Sequence, residues 1–304
     1  MSPNKVMMHG WINLYKPVGL SSAKAVAIIR KQLNCSKIGH GGTLDPLACG
    51  VLPIALGEAT KTASYMMDCI KKYEFTLRWG FETTTDDKEG FSTLVSDKIP
   101  TKDEILNCIP KFIGTINQVP PDYSAVKING RRAYSVARTA ENQGQKHQMD
   151  LKSRQVVIHD LSISSHIGNE TCLRVSCEKG TYIRSLGRDL GRILGSAAHV
   201  SALSRLNVGK FDIKDAISLD FFKSLRDSAE AQKIVVSLLT ALDDIPAMSI
   251  THEEAIRIKM GQRIPYSGRS SMEKRTSVAI CGGLPVALIK HESGIIRPIR
   301  VFNL

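Results

Sequence analysis

The chain has 304 residues, 42% of them hydrophobic, which supports a sizeable core in one large domain plus a small one. Its 41 Lys and Arg against 29 Asp and Glu leave a formal net charge of +12, a balance that suits a polyanionic partner because phosphates reward distributed cations. No stretch approaches the roughly 20 apolar residues of a membrane span, and Met1-Ser-Pro-Asn-Lys5 leads into a polar-apolar mix rather than a signal peptide.

The first predicted element is a strand over residues 11–15, ended by Lys16-Pro17. Ser21 or Ser22 caps a helix to about Gln32, with Ala25, Ile28 and Ile29 on its inner side. A second helix starts near Glu58 and carries Ala63 and Met66 inward. Tyr73, Phe75, Leu77 and Trp79 alternate with Lys72, Glu74, Thr76 and Arg78, the pattern of a half-buried strand. Thr101-x-x-Glu104 is a capping box that opens a helix to about Phe112. Strand-like runs recur at 155–162 and 172–177, and a helix runs from Thr181 to about Leu194. Strands and helices mix without regular βαβ alternation, so the expected fold class is α+β with a mixed, mostly antiparallel sheet.

The expected boundary falls at 243–246. The apolar pattern of residues 1–245 looks self-contained. Residues 247–304 carry nine Lys and Arg against four Asp and Glu. There, apolar runs at 277–281 and 285–289 flank Gly282-Gly283 as in a hairpin, and Ile299, Val301 and Phe302 offer a last strand. The seven cysteines show no Cys-x-x-Cys and no zinc spacing. Cys172 and Cys177 fit a strand core better than a bridge. A reduced cytoplasm, no metal and no cofactor are expected.

The most informative stretch is His40-Gly-Gly-Thr-Leu-Asp-Pro-Leu-Ala-Cys49. Gly41 and Gly42 allow a tight turn or a close approach to a ligand, and Pro46 pushes Asp45 toward an extended conformation. The apolar run 50–57 follows, so Asp45 sits at the edge of an apolar wall, where a carboxylate can do chemistry. Asp-Pro is also a helix cap with proline at the first helical position. Gly50 and Pro53 leave such a helix barely one turn, and a cap does not account for the glycines or His40.

Residues 40–61, ending in Gly57-Glu-Ala-Thr-Lys61, resemble the catalytic segment of the TruB-type tRNA pseudouridine-55 synthases. Asn13-Leu-Tyr-Lys16-Pro-Val-Gly19 is similar to that family's first motif, 118–134 to a middle one and Leu203-Ser-Arg-Leu-Asn-Val-Gly-Lys-Phe211 to a late one. The resemblance covers about residues 10–211. It implies that Asp45 is the catalytic aspartate, that Tyr73 stacks on the target base, and that Arg184 of Tyr182-Ile-Arg184 pairs with the aspartate. A guanidinium there would keep the carboxylate ionised in a dry pocket. It further implies that His40 enters the space left by a flipped base.

Lys16 and Lys61, within the matched motifs, join Lys127, Arg131 and Arg132 as expected RNA contacts. The last three are interleaved with Tyr123 and Tyr134, which suits backbone neutralisation and stacking. Polar residues 139–153 fall in an RNA-gripping insertion at about 127–153. Arg188 and Arg192 share Arg184's face, and on spacing alone form a solvated basic face. Gly41, Cys49 and Thr84 depart from the family's usual threonine, threonine and aspartate, with Asp86 and Asp87 close enough to replace the lost acid. The C-terminal piece resembles a PUA-like RNA-binding β-domain.

By this resemblance the expected function is isomerisation of uridine 55 in the tRNA T-loop, by a cytoplasmic monomer without cofactor, membrane or obligatory protein partner. Two alternatives share the charge and aromatic features. One is a tRNA-folding factor that needs no carboxylate at 45. The other is a guided synthase in a ribonucleoprotein, which usually carries a larger C-terminal domain than the about 60 residues here.

Overall fold

The computed structural model describes residues 8–128, 130–142, 149, 151–266 and 275–304. Much of the expected insertion, 143–148 and 150, lies outside the described residues.

The fold is α+β. One mixed sheet runs, edge to edge, Ile217–Ser218, Gly10–Lys16, Cys49–Leu56, Ala198–Val208, Lys71–Trp79, Glu170–Cys177, Arg154–Ile167 and Gly114–Gln118. Two junctions along it are parallel, Cys49–Leu56 with Ala198–Val208 and Ile217–Ser218 with Gly10–Lys16; the others are antiparallel.

Period-two alternation gives the central strands two buried faces. On the front, Ile12, Leu14, Leu52 and Ile54 meet Ala25 and Ile29 of helix Ser22–Leu33, whose cap Ser21 accepts from Lys24 N–H. Farther along the same face, Ile183, Leu186 and Leu190 of helix Ile183–Ile193 cover Phe75, Leu77 and Val200. That helix starts later than the expected Thr181. Its cap is Tyr182, whose N–H donates to the buried Gln118 Oε1 at 2.8 Å while Gln118 Nε2 donates to Tyr182 O at 3.1 Å. A distant side chain, not Thr181, sets the start.

The stretch after Glu58 also differs. Residues Gly57–Thr62 form a 3-10 turn, and the α-helix proper is Ala63–Asp68, with Met66 buried. The run at 155–162 is part of a longer strand, Arg154–Ile167. All seven cysteines are free thiols.

A second sheet has five strands, Ala247–Ser249, Ile264–Pro265, Thr276–Cys281, Leu284–Glu292 and Ile295–Val301. Its hairpin turns at Gly282 and Gly283, both with positive φ (56° and 79°), as a type I′ turn requires. This unit does not stand apart. Its Val278 and Leu288, with Phe302 just beyond its last strand, share one buried cluster with Trp11, Val51, Ala55 and Met66 on the back of the large sheet. Residues 1–245 are therefore not self-contained. Among the described residues, no helix is long and apolar enough to cross a membrane.

Candidate active site

The site is built on one cross-strand row of the large sheet. Lys16 pairs with Gly50, Gly50 with Arg205, and Arg205 with Tyr73, across four adjacent strands. Residues of one row share a face, so Lys16, Arg205 and Tyr73 lie together on the front. Gly50 is the gap between the two cations. Its φ is +108°, and a Cβ there would sit 2.2 Å from Arg205 O. Only glycine lets these strands approach so closely.

Above the row runs the loop 41–48. Leu44 N–H donates to Ser22 Oγ, which donates back to Leu44 O, both at 2.9 Å. Gly41 N–H donates to Pro53 O and Gly19 N–H to Pro46 O, each at 2.8 Å. Leu44, Leu47 and Ala48 anchor the loop in the front core. Only a turn follows Pro46, then strand Cys49–Leu56, so Asp45 caps no helix. Gly41 faces Met66, whose Cγ would lie 2.2 Å from an added Cβ; Met66 occupies the space a threonine would need.

Asp45 keeps a third of its side chain exposed and accepts from Arg184 Nε at 2.9 Å. Arg184, the second residue of its helix, is buried, and each of its three nitrogens donates one hydrogen bond. Its other nitrogens donate to Thr85 O at 2.9 Å and Tyr123 O at 3.1 Å, and Asp87 Oδ2 lies 3.7 Å from Nε. Asp87 is itself held by Thr85 Oγ1–H at 2.5 Å and Glu89 N–H at 3.0 Å. Asp87, three positions after Thr84, thus faces Arg184.

On the helix face expected to be solvated, Arg192 is exposed and Arg188 is buried, and both are ion-paired. Arg188 is buried, and donates to Asp86 at 2.8 Å and to Val119 O at 2.8 Å. Arg192 makes a two-pronged bond to the buried Glu82, both prongs at 2.8 Å. Burial pushes the Asp86 carboxyl up to about 6, against the pull of Arg188. Spacing along one helix could not reveal the partners on 82–87. Arg188→Met strands Asp86 in the interior; we expect a loss of about 3–5 kcal/mol in urea unfolding. A change within experimental error would show the pair to be energetically idle.

Tyr73 is half-buried with its ring against the front core. Burial raises its phenol above the ordinary value while Arg205 pulls it down. His40 ends strand Ile38–His40; its Nδ1 accepts from Gly42 N–H at 3.3 Å. Burial, then Arg205, hold its imidazole below the usual range.

Two of the expected RNA contacts are engaged within the protein, Lys16 wholly and Lys61 in part. Lys16 is wholly buried, and its ammonium donates to Pro17 O at 2.8 Å, Leu20 O at 2.7 Å and Pro46 O at 3.5 Å. Burial lowers its pKa to about 8. It shapes the Asp45 loop from below and offers nothing to a phosphate. Lys61 pairs with the buried Glu58 at 2.5 Å and donates to Val301 O at 2.6 Å, while Glu58 accepts from Asn303 N–H. It latches the C-terminal unit. Lys127, Arg131 and Arg132 do lie exposed, on a two-stranded hairpin. The segment leading into it passes Tyr123, which touches Arg184.

Sequence reasoning missed Arg205. The available signal was its phase: it falls on the inward side of its strand with Leu203, where a cation is out of place.

A mixed sheet carries the Asp45–Arg184 pair at a loop mouth, with Tyr73 on its front face, and the family matches below put this arrangement in the pseudouridine synthase class. The chain is similar to the solved Cbf5-Nop10-Gar1 complex, with a TM-score of 0.71 and 26% identity over 98% of this chain and 84% of that one. It also matches an archaeal box H/ACA Nop10-Cbf5 complex in fold, with a TM-score of 0.73 over 98% of this chain and 87% of that one at 24% identity. Sequence narrows the class. Residues 30–183 match the model of the TruB family pseudouridylate synthase N-terminal domain, and 184–245 that of the tRNA pseudouridylate synthase B C-terminal domain. The tRNA pseudouridine synthase B of Bradyrhizobium diazoefficiens is 44% identical, over 98% of this chain and 86% of that protein. That of Ehrlichia chaffeensis is 41% identical, over 98% and 100%. The chain belongs to the TruB family of pseudouridylate synthases.

Proposed function

We propose that the chain acts alone in the cytoplasm as a monomer and converts uridine 55 of the tRNA T-loop to pseudouridine. The observation that carries the reading is the Asp45–Arg184 pair, 2.9 Å apart, with one carboxylate side open to a ligand. Uracil leaves C1′ with the N1–C1′ bonding pair, turns, and rejoins through C5; N1 takes up a proton and C5 loses one, so nothing is added or removed. The target atoms are shielded in a stacked arm, so the base flips out. Asp45, paired with Arg184, supplies the negative charge that an electron-poor C1′ or a base adduct needs. Tyr73 stacks on the flipped base, a contact of roughly 1–3 kcal/mol. His40 fills the gap left in the arm.

Lys127, Arg131 and Arg132 meet phosphates, and the C-terminal β-unit, in the manner of a PUA domain, adds further RNA contact. Each phosphate contact contributes roughly −0.7 to −0.9 to the slope of log K against log salt. Changing all three residues to Gln should flatten that slope by roughly 2–3; an unchanged slope places them off the RNA. The whole reading is tested by incubating the purified protein alone with an unmodified T-arm and mapping pseudouridine. Isomerisation at position 55 supports it. No product, or product only with added protein or guide RNA, overturns it.

A further inference from the structure

Arg205 is the least expected charge in the molecule. It is 1% exposed, and no carboxylate lies within ion-pair distance of it among the described residues. A buried cation is costly unless something compensates it. What it has is backbone. Nε donates to Val51 O at 2.7 Å, and the two terminal nitrogens donate to Thr43 O at 3.2 Å and Gly42 O at 3.0 Å. All three carbonyls flank Asp45, on the two sides of its loop. Three acceptors fix a planar guanidinium completely. Of its five N–H groups, two remain.

Tyr73 stands directly opposite Arg205 in the cross-strand row and on the same face of the sheet, so its hydroxyl is the side-chain acceptor the row sets beside them. A guanidinium only donates. A phenol oxygen that meets it accepts, and its own hydrogen then points away from Arg205. We infer that Arg205 is a positioning residue for the isomerisation, acting through Tyr73: it fixes the direction of the Tyr73 O–H and carries a positive charge to that oxygen. The inference rests on the proposed uridine isomerisation. It assigns Tyr73 a role at its hydroxyl in addition to the stacking role of its ring. The opposing effects of burial and Arg205 on the phenol agree with a guanidinium at contact distance.

The test is a double-mutant cycle of Arg205→Lys and Tyr73→Phe, read as the single-turnover rate at saturating T-arm RNA. Lysine keeps the charge and the stem but cannot hold three carbonyls in a plane. With Tyr73 present, Arg205→Lys should slow the rate by about a hundredfold, with RNA affinity changed less than about threefold; in Tyr73→Phe the further loss should be under about fivefold, the non-additivity of groups acting as a unit. Equal losses in both backgrounds would mean that Arg205 only supports the loop, and would overturn the inference. A rate unchanged by Arg205→Lys would overturn it as well. A second readout needs no turnover: fluorine NMR of a fluorotyrosine placed at 73, titrated in the parent and in Arg205→Met. Loss of the guanidinium should move phenol ionisation to higher pH; an unmoved titration refutes the contact. A parent protein that makes no pseudouridine defeats the functional reading alone, and the titration still decides on Arg205 and Tyr73.

Discussion

Asp45→Asn removes turnover and leaves the protein folded and able to bind RNA. The change is nearly isosteric and takes away only charge and nucleophilicity. The loop is held by bonds that do not involve the carboxylate, through Ser22, Pro53 and Gly19. Arg184 keeps its bonds to Thr85 O and Tyr123 O and meets an amide oxygen in place of a carboxylate. We expect the saturating single-turnover rate to fall at least about a thousandfold, about 4 kcal/mol of barrier, with the dissociation constant for T-arm RNA within about tenfold. Residual turnover above about one part in a hundred would remove Asp45 from the chemistry, since that is under 3 kcal/mol.

How much of this is legible in the sequence follows from where each signal lives. Loop chemistry is local, so the glycine pair, Asp45 and Pro46 mark the loop by themselves. The alternation from Tyr73 to Trp79 marks its strand, and Gly282-Gly283 its hairpin, because turn and pleat are written in neighbouring residues. Pairings across the fold are not. The start of helix Ile183–Ile193 is set by Gln118, 64 positions away, and Arg188 finds Asp86 across 102. Charge alone makes Lys16 and Lys61 surface cations; each is instead consumed by carbonyls or a carboxylate that only the tertiary structure brings near. Arg205 shows in the sequence only by its phase, because its partners are backbone oxygens, which carry no sequence signature. The strands of the second sheet begin at Ala247, yet composition gives no hint that apolar residues after it share a buried cluster with the back of the large sheet.

That shared core sets the second expectation. Ending the chain after Ile245 should cost most of its stability and not merely its RNA affinity. Trp11, Val51, Ala55 and Met66 are fully buried on the back of the large sheet, and Val278, Leu288 and Phe302 are among the residues that cover them. Phe302 is 0% exposed, and emptying such a site by Phe302→Ala costs about 3–5 kcal/mol. Total stabilities run to about 5–15 kcal/mol, so losing three such residues at once, with the Glu58 and Lys61 bonds to Asn303 and Val301, leaves little. The measurement is thermal unfolding of the shortened chain beside full-length protein and Phe302→Ala. The single variant should lower the midpoint by roughly 10 °C, and the shortened chain should aggregate or lose its cooperative transition. If the shortened chain unfolds at the parent's temperature, the two units do not share a core in solution. Strand Cys49–Leu56, which follows directly from the Asp45 loop, would then be supported by the large domain alone.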